Sequence, residues 1–552
     1  MMRNTRAVSL TALAASAALG LTACGGGPGS ASGRSTDRVK GGTLTYYASY
    51  DFDHLDPQRN YTIAAMNLGH ILYRSLTYWE KQTDGSTKLV GDLSTDAGTP
   101  SDDAKTWTFH LNKGIKWQDG TEVTSADVKY GVERSFDPDL AGGATYGQQW
   151  LVGGNGYKGP KQGELASIRT PDPYTIVFKL NRSVSDFNQA TAIGTFAAVP
   201  KAHDTGATYD THVWSDGPYM IGTYTRGKEL TLVRNPHWSA GTDRLREQNV
   251  DRINVKIGLD GSAIDQLMKT DGSDAHTAVS GQTVASTDLQ TFSSDPQLRS
   301  RFHSIASLSI NYLAINTATV TDLKVRQAIG YAINKQTVRG GFGGSAYGDY
   351  ATTFLNPKIP GRLAAAPYGS DPAGNQAKAK QLLAESGQKN VTLSLAVMSE
   401  KVGDAIHDAL AQVGITVNVK RIDASTYFSN IGNVSNHYDL MWADWFADYP
   451  SGSAVITPLL SARVITQTGN WNFAQLNDAA TEKEIDRIST LTDPGAVSAA
   501  WGKLDVDILT RTAAVVPLIY TKMNYLEGSK VGGLQEDNVI GTMNLAKVYL
   551  KK

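Results

Sequence analysis

The chain has 552 residues, 52 basic against 53 acidic side chains, and one cysteine. That length divides into about two to four domains, and 41% hydrophobic with 19% charged residues is a globular balance that excludes wholesale disorder, collagen and coiled coil. A net charge of −1 argues against a nucleic-acid binder, and a single cysteine excludes an internal disulfide and a Cys-rich zinc site.

In chain order, the cysteine comes first. Arg3 and Arg6 form a short positive region, and Ala7 to Leu21 is a mostly apolar run. Such a run is too short to span a bilayer comfortably but suits a signal-peptide core. It ends in Leu21-Thr22-Ala23-Cys24, which resembles a bacterial lipobox. The resemblance implies cleavage after residue 23 and a diacylglyceryl group, with palmitate-type chains, on the Cys24 thiol. Two or more chains anchor stably, at about 0.8 kcal/mol per buried methylene. Residues 24–36, opening GGGPGSASGR after Cys24, read as a flexible tether. No later stretch is apolar enough to span a membrane. The expected product is a soluble body on a lipid anchor at the outer face of the cytoplasmic membrane.

Within the body, Trp107, Phe109 and Leu111 alternate, as do Tyr174, Ile176, Phe178 and Leu180, so both segments are predicted strands. Thr124 with Asp127 forms a capping box that opens a helix, with Val123 and Val128 placed to staple it. Val325, Ala328, Ile329, Ala332 and Ile333 recur at helical spacing, which starts a helix near Asp322. Ala379, Leu382 and Leu383 mark a helix that stops at Gly387. Val391, Leu393, Leu395 and Val397 alternate as a strand. Val402, Ile406, Ala409, Leu410 and Val413 form a helical stripe closed by Gly414. Ile415, Val417 and Val419 alternate again. Strand, helix and strand with short connections predict a right-handed parallel crossover.

Catalytic and metal signatures are weak. The ten histidines form no HxH or HxxxH pair, and neither HExxH nor GxSxG occurs. GxGxxG at 154–159 runs into Pro160, and Gly341 to Ala346 follows a helix, so neither suits a dinucleotide loop. Asp51, Asp53 and Asp56 lack the glycine and distal glutamate of a calcium loop and read as a solvated turn. No catalytic residue, metal or cofactor is expected.

Residues 106–134, TWTFHLNKGIKWQDGTEVTSADVKYGVER, resemble the signature region of the bacterial extracellular solute-binding protein family 5, the oligopeptide-, dipeptide- and nickel-binding proteins of ABC importers. HLDPQRN (54–60), SDGPYMIGTY (215–224), LVRNPHW (232–238), VRQAIGYAINK (325–335), GITVNVKRID (414–423) and YDLMWADWFADYP (438–450) extend the resemblance over essentially the whole mature chain, in order. Two segments depart from the family's pattern. SDGPY replaces the commoner TGPY, a change expected to be neutral. PSGSA follows Asp448 in place of an acidic or Asn-containing run, which puts peptide specificity in question.

The resemblance implies an α/β fold: a two-lobed periplasmic-binding-protein-like clamp of type II, in the large cluster with an extra subdomain, with mixed sheets flanked by helices. Residues 37–77, 196–307 and 520–552 would form lobe I, residues 78–195 an inserted subdomain, and residues 308–519 the distal α/β lobe. By the same resemblance, Asp448 would pair with the α-amino group of a peptide. Trp442, Trp445, Phe446 and Tyr449 would surround it, and Tyr146 occupies the place of a cleft tyrosine. The aromatic residues around Asp448 serve equally well as ordinary core.

The function implied is capture of an oligopeptide or dipeptide between two lobes by a monomer, with delivery to an ABC permease and ATPase complex. The same clamp could take another solute (a nickel chelate, a sugar, a siderophore) or act as a peptide-signal receptor. A secreted hydrolase on the same anchor is the alternative from a different class.

Overall fold

The computed structural model describes residues 37–552. The leader, Cys24 and the tether lie outside the described residues.

Three sheets carry the architecture. Thr106–His110 and Thr175–Lys179 bury Trp107, Phe109, Ile176 and Phe178 on alternate positions. They pair antiparallel, with Trp107 opposite Phe178 and Phe109 opposite Ile176, at the centre of a four-stranded sheet with Thr99–Ser101 and Ile168–Asp172. The rings of Phe109, Phe178, Phe187 and Phe196 meet at centroid distances of 5.4 to 5.9 Å, mostly edge to face. Such pairs add about 0.5–1.5 kcal/mol each beyond their buried area. The helix Ser125–Arg134 beside this sheet opens on the Thr124–Asp127 capping box, whose Thr124 N–H donates to the Asp127 carboxylate at 2.8 Å.

A second, five-stranded sheet runs in the order Ala278–Ser280, Thr43–Ala48, Arg252–Ile257, Glu229–Arg234, Tyr219–Thr225. Its first three strands are parallel and the rest antiparallel.

The third sheet is six-stranded and mixed: Gly348–Tyr350, Val515–Leu526, Phe302–Ile315, Leu440–Phe446, Thr392–Val397, Thr416–Arg421. The expected crossover forms one side of it. Gly387 caps the helix Gln376–Ser386 at φ +70°. Thr392–Val397 and Thr416–Arg421 pair in parallel with Leu393 opposite Val417, and the connecting helix Glu400–Ala411 packs on both. Val419 is 40% exposed although it sits in phase with the buried Val417, because its strand is the edge of the sheet. The helix Leu323–Ala332 starts where Asp322 accepts hydrogen bonds from the N–H groups of Lys324 and Val325.

The two longest strands, Phe302–Ile315 and Val515–Leu526, lie side by side and run past residues 307 and 520. Their register breaks between Ala306 and Ile310, where the buried Ser307 hydroxyl donates to the Thr521 carbonyl at 3.0 Å. A break in an antiparallel ladder bends both strands locally.

One local expectation is corrected. The segment Asp51 to Asp56 is not a solvated turn throughout. Asp56 is fully buried and forms an ion pair with Arg134 at 2.8 Å. Among the described residues no helix is long and apolar enough to cross a membrane, and no three His, Cys, Asp or Glu side chains gather as a metal site.

Candidate ligand-binding site

Leu440–Phe446 is an inner strand of the six-stranded sheet, antiparallel to Phe302–Ile315. Asp448 follows two residues after its end and is half-buried. Its carboxylate is reached from two stretches far away in sequence. The Tyr61 hydroxyl donates to Oδ1 at 2.6 Å, and the Tyr146 hydroxyl donates to Oδ2. No cation pairs with Asp448 among the described residues. Burial raises its carboxyl above the usual carboxylate range, opposed by the two phenol hydrogen bonds. A carboxylate offers about four acceptor positions, so two phenols leave room for further donors.

The local sequence explains how these groups meet. Tyr61 follows the loop 54–60, which is clamped to the helix Ser125–Arg134 by the Asp56–Arg134 ion pair and by Arg134 donating to the Gln58 side-chain carbonyl at 3.3 Å, and is held to the chain at Ala197 by the Gln58 amide donating to its carbonyl at 3.2 Å. Tyr146 opens the short helix Tyr146–Trp150. The backbone just before it presses on the same loop, and a Cβ on Gly143 would stand 2.0 Å from the Gln58 carbonyl oxygen. Only glycine permits that approach, so the glycine at 143 brings Tyr146 next to the chain that leads to Tyr61.

The unusual Pro450-Ser451-Gly452-Ser453 run has a structural role. Ser451 and Ser453 both donate to Asp186 Oδ2 at 2.5 Å. Asp186 is buried, and burial holds its carboxyl above the ordinary range, opposed by the two serine hydroxyls. The loop after Asp448 is thereby tied to a carboxylate 265 residues earlier.

The aromatic residues divide. Tyr449 is buried and lies 5.7 Å from Tyr146, ring to ring, with its hydroxyl 3.2 Å from Ser453. Trp442 is buried against Phe342 at 5.7 Å. Trp445 is half-buried, donates its ring N–H to the Ala454 carbonyl at 2.7 Å, and meets Trp471 at 5.5 Å. Phe446 is half-buried and stands beside Gly541. The structure thus gathers Asp448, Tyr146 and Tyr449 tightly and sets the other three along the adjoining strand. Sequence reasoning missed Tyr61, Asp186 and the two serines. Tyr61 immediately follows the HLDPQRN motif, and the serines lie in the segment that departs from the family's pattern, so these had a neighbouring signal, while Asp186 lies in none of the quoted motifs.

The sequence and the fold have relatives. A family model described as bacterial extracellular solute-binding proteins, family 5 middle, matches residues 88–467. A putative ABC transporter peptide-binding protein of Brucella ovis is 28% identical over 469 residues, covering 80% of this chain and 81% of that protein. The structure of clavulanic acid biosynthesis oligopeptide binding protein 2 superposes with a TM-score of 0.85 at 30% identity, covering 94% of this chain and 97% of the other. A periplasmic murein tripeptide binding protein in its unliganded open form superposes with a TM-score of 0.77 at 21% identity, covering 94% and 98%, so the fold is that of the periplasmic binding proteins. The chain belongs to the bacterial extracellular solute-binding proteins, family 5.

Proposed function

We propose that this chain is the solute-binding component of an ABC importer, and that it captures peptides by pairing the ligand's terminal ammonium with Asp448. One observation carries the reading: a half-buried carboxylate, held by hydroxyls from Tyr61 and Tyr146, with no cation opposite it among the described residues. Every peptide with a free N-terminus presents one ammonium whatever its side chains. A fixed carboxylate reads that group and leaves sequence open, while main-chain hydrogen bonds to an extended ligand supply affinity. The names of the relatives, a peptide-binding protein of an ABC transporter and an oligopeptide-binding protein, support the same ligand class.

In this reading residues 37–77, 196–307 and 520–552 form one lobe and residues 308–519 the other, with residues 78–195 inserted. Tyr61, Tyr146 and Asp448 then belong to the three parts. The register break at Ala306–Ile310 beside Ser307 and Thr521 is the place for bending. Closure is a population shift that the ligand drives by bonding to both lobes at once. The protein works as a monomer, anchored through lipid on Cys24 at the outer face of the membrane, and hands its cargo to a permease and ATPase. It binds rather than transforms its ligand.

Calorimetry of the Asp448→Ala variant with a peptide that the wild type binds tests the assignment. The expected loss is about 3–5 kcal/mol, the usual cost of leaving one partner of a buried ion pair alone. Unchanged affinity would remove Asp448 from the site.

A further inference from the structure

A second carboxylate stands on the strand that leads to Asp448. Asp444 lies opposite Asn311 in the antiparallel register, so the two side chains share a face of the sheet. Trp442, two residues earlier, shares that face as well. Asp444 is half-buried, and burial raises its carboxyl above the ordinary range. It accepts no hydrogen bond from another residue and has no cation opposite it among the described residues. Its neighbours on that face include the aliphatic Leu313, opposite Trp442, and the neutral Asn311. Tyr347 donates its hydroxyl to Asn311 Oδ1 at 2.7 Å and feels the Asp444 charge, which adds to burial in holding the phenol protonated. Phe342 stacks on Tyr347, with centroids 4.5 Å apart and planes within 8°, and also packs on Trp442. The Trp442 ring N–H is a second polar group without a partner, and Trp442 is only 5% exposed.

The two unpartnered groups are complementary to a peptide. Asp444 is an acceptor that needs a cation, and the Trp442 N–H is a donor that needs a carbonyl. A peptide carries carbonyls at every residue and, where it contains arginine or lysine, a cation on a long stem. The flat Phe342–Tyr347 pair suits a guanidinium, which stacks on aromatic faces and meets a carboxylate with its fork of donors. Asp444 precedes Asp448 by four residues, and the strand carries the chain toward Asp448 as far as Phe446. This separation places the second cation on a side chain beyond the first residue of a ligand whose ammonium sits at Asp448.

We infer that Asp444, with Trp442, Asn311, Phe342 and Tyr347, forms a second cation-reading subsite, and that the preferred ligands are peptides with an arginine side chain after their first residue. This inference rests on the assignment of the terminal ammonium to Asp448.

The test uses purified full-length body, calorimetry and five tetrapeptides: tetra-alanine, and its variants with arginine at position 2 or 3 and with citrulline at the same two positions. Citrulline keeps the shape of arginine and removes its charge. The expected result is that arginine binds at least tenfold more tightly than citrulline at one of the two positions. Asp444→Asn should abolish that difference. Equal affinities for arginine and citrulline at both positions would overturn the subsite, while binding of tetra-alanine would leave the peptide reading standing. A difference that persists in Asp444→Asn would also overturn it. Failure of all five peptides to bind would contradict the peptide reading itself. The wild-type series depends on no variant folding.

Discussion

Two carboxylates in this molecule, one buried and one half-buried, are treated in opposite ways. Asp92 is 1% exposed and fully compensated. Arg74 Nε meets Oδ1 at 2.7 Å, and Arg246 Nη2 meets Oδ2 at 2.6 Å. Arg246 in turn meets Asp243 at 3.3 Å. Asp448 also has both oxygens occupied, but by the neutral hydroxyls of Tyr61 and Tyr146. A charge removed from water is tolerated only with a counter-charge or with generous hydrogen bonding. Asp92 has its counter-charge within the chain and ties the segments carrying Arg74 and Arg246 together. Asp448 has hydrogen bonds without a counter-charge, an arrangement that costs the fold something and gives a cationic ligand something to gain. The contrast separates structural charge from receptive charge by the identity of the partner.

Breaking the compensated cluster should have the largest effect. Arg246→Ala leaves Asp92 and Asp243 short of a buried guanidinium, and the expected loss of stability is about 3–5 kcal/mol in urea unfolding. A loss below about 1 kcal/mol, the range of exposed pairs, would erase the distinction from Asp448.

The next effect sharpens the comparison with pH. Asp216, in the SDGPY segment whose departure from TGPY was expected to be neutral, is 1% exposed and accepts the Arg74 N–H at 2.9 Å. Burial pushes its carboxyl up to about 7, against the neighbouring Arg74. A carboxyl whose folded value lies above its unfolded one holds its proton more tightly in the fold. Its contribution to stability is therefore fully present below about pH 4 and is lost as pH rises through about 7. The stability advantage of the wild type over Asp216→Asn should shrink between those values and stay level above them. A difference that does not change with pH would mean that Asp216 is ionised in the folded state.

The smallest effect concerns the receptive charge. Tyr146→Phe removes one of the two hydroxyls that favour the ionised Asp448, a hydrogen bond to a charged group worth about 1.5–3 kcal/mol. Peptide affinity should fall as acid protonates Asp448, and in the variant that fall should begin at higher pH. Superimposable affinity-against-pH curves would show that Tyr146 does not tune the carboxylate.

What could be read from the sequence was whatever a short segment decides alone. The alternation of Leu393 and Leu395, the stripe from Val402 to Val413 and the stop at Gly414 define a strand, helix and strand that pair in parallel. The Thr124–Asp127 box is a contact over three residues. Asp448 and Tyr146 came from motif resemblance. The partners that make Asp448 unusual lie 302 and 387 residues away, and the Asp186 anchor of Ser451 lies 265 residues away. No local period encodes such pairs, because they exist only once three stretches of chain have been folded against one another. The same holds for Asp216, which is sealed beside Arg74, 142 residues away in sequence.

The most direct test of the account compares one peptide in two forms, with a free N-terminus and with an acetylated one, by calorimetry on the wild-type protein. Acetylation removes the ammonium and little else. If Asp448 is a carboxylate waiting for a cation, the acetylated peptide should bind at least a hundredfold more weakly. Equal affinity for the two forms would show that the charge at Asp448 is not what the ligand meets.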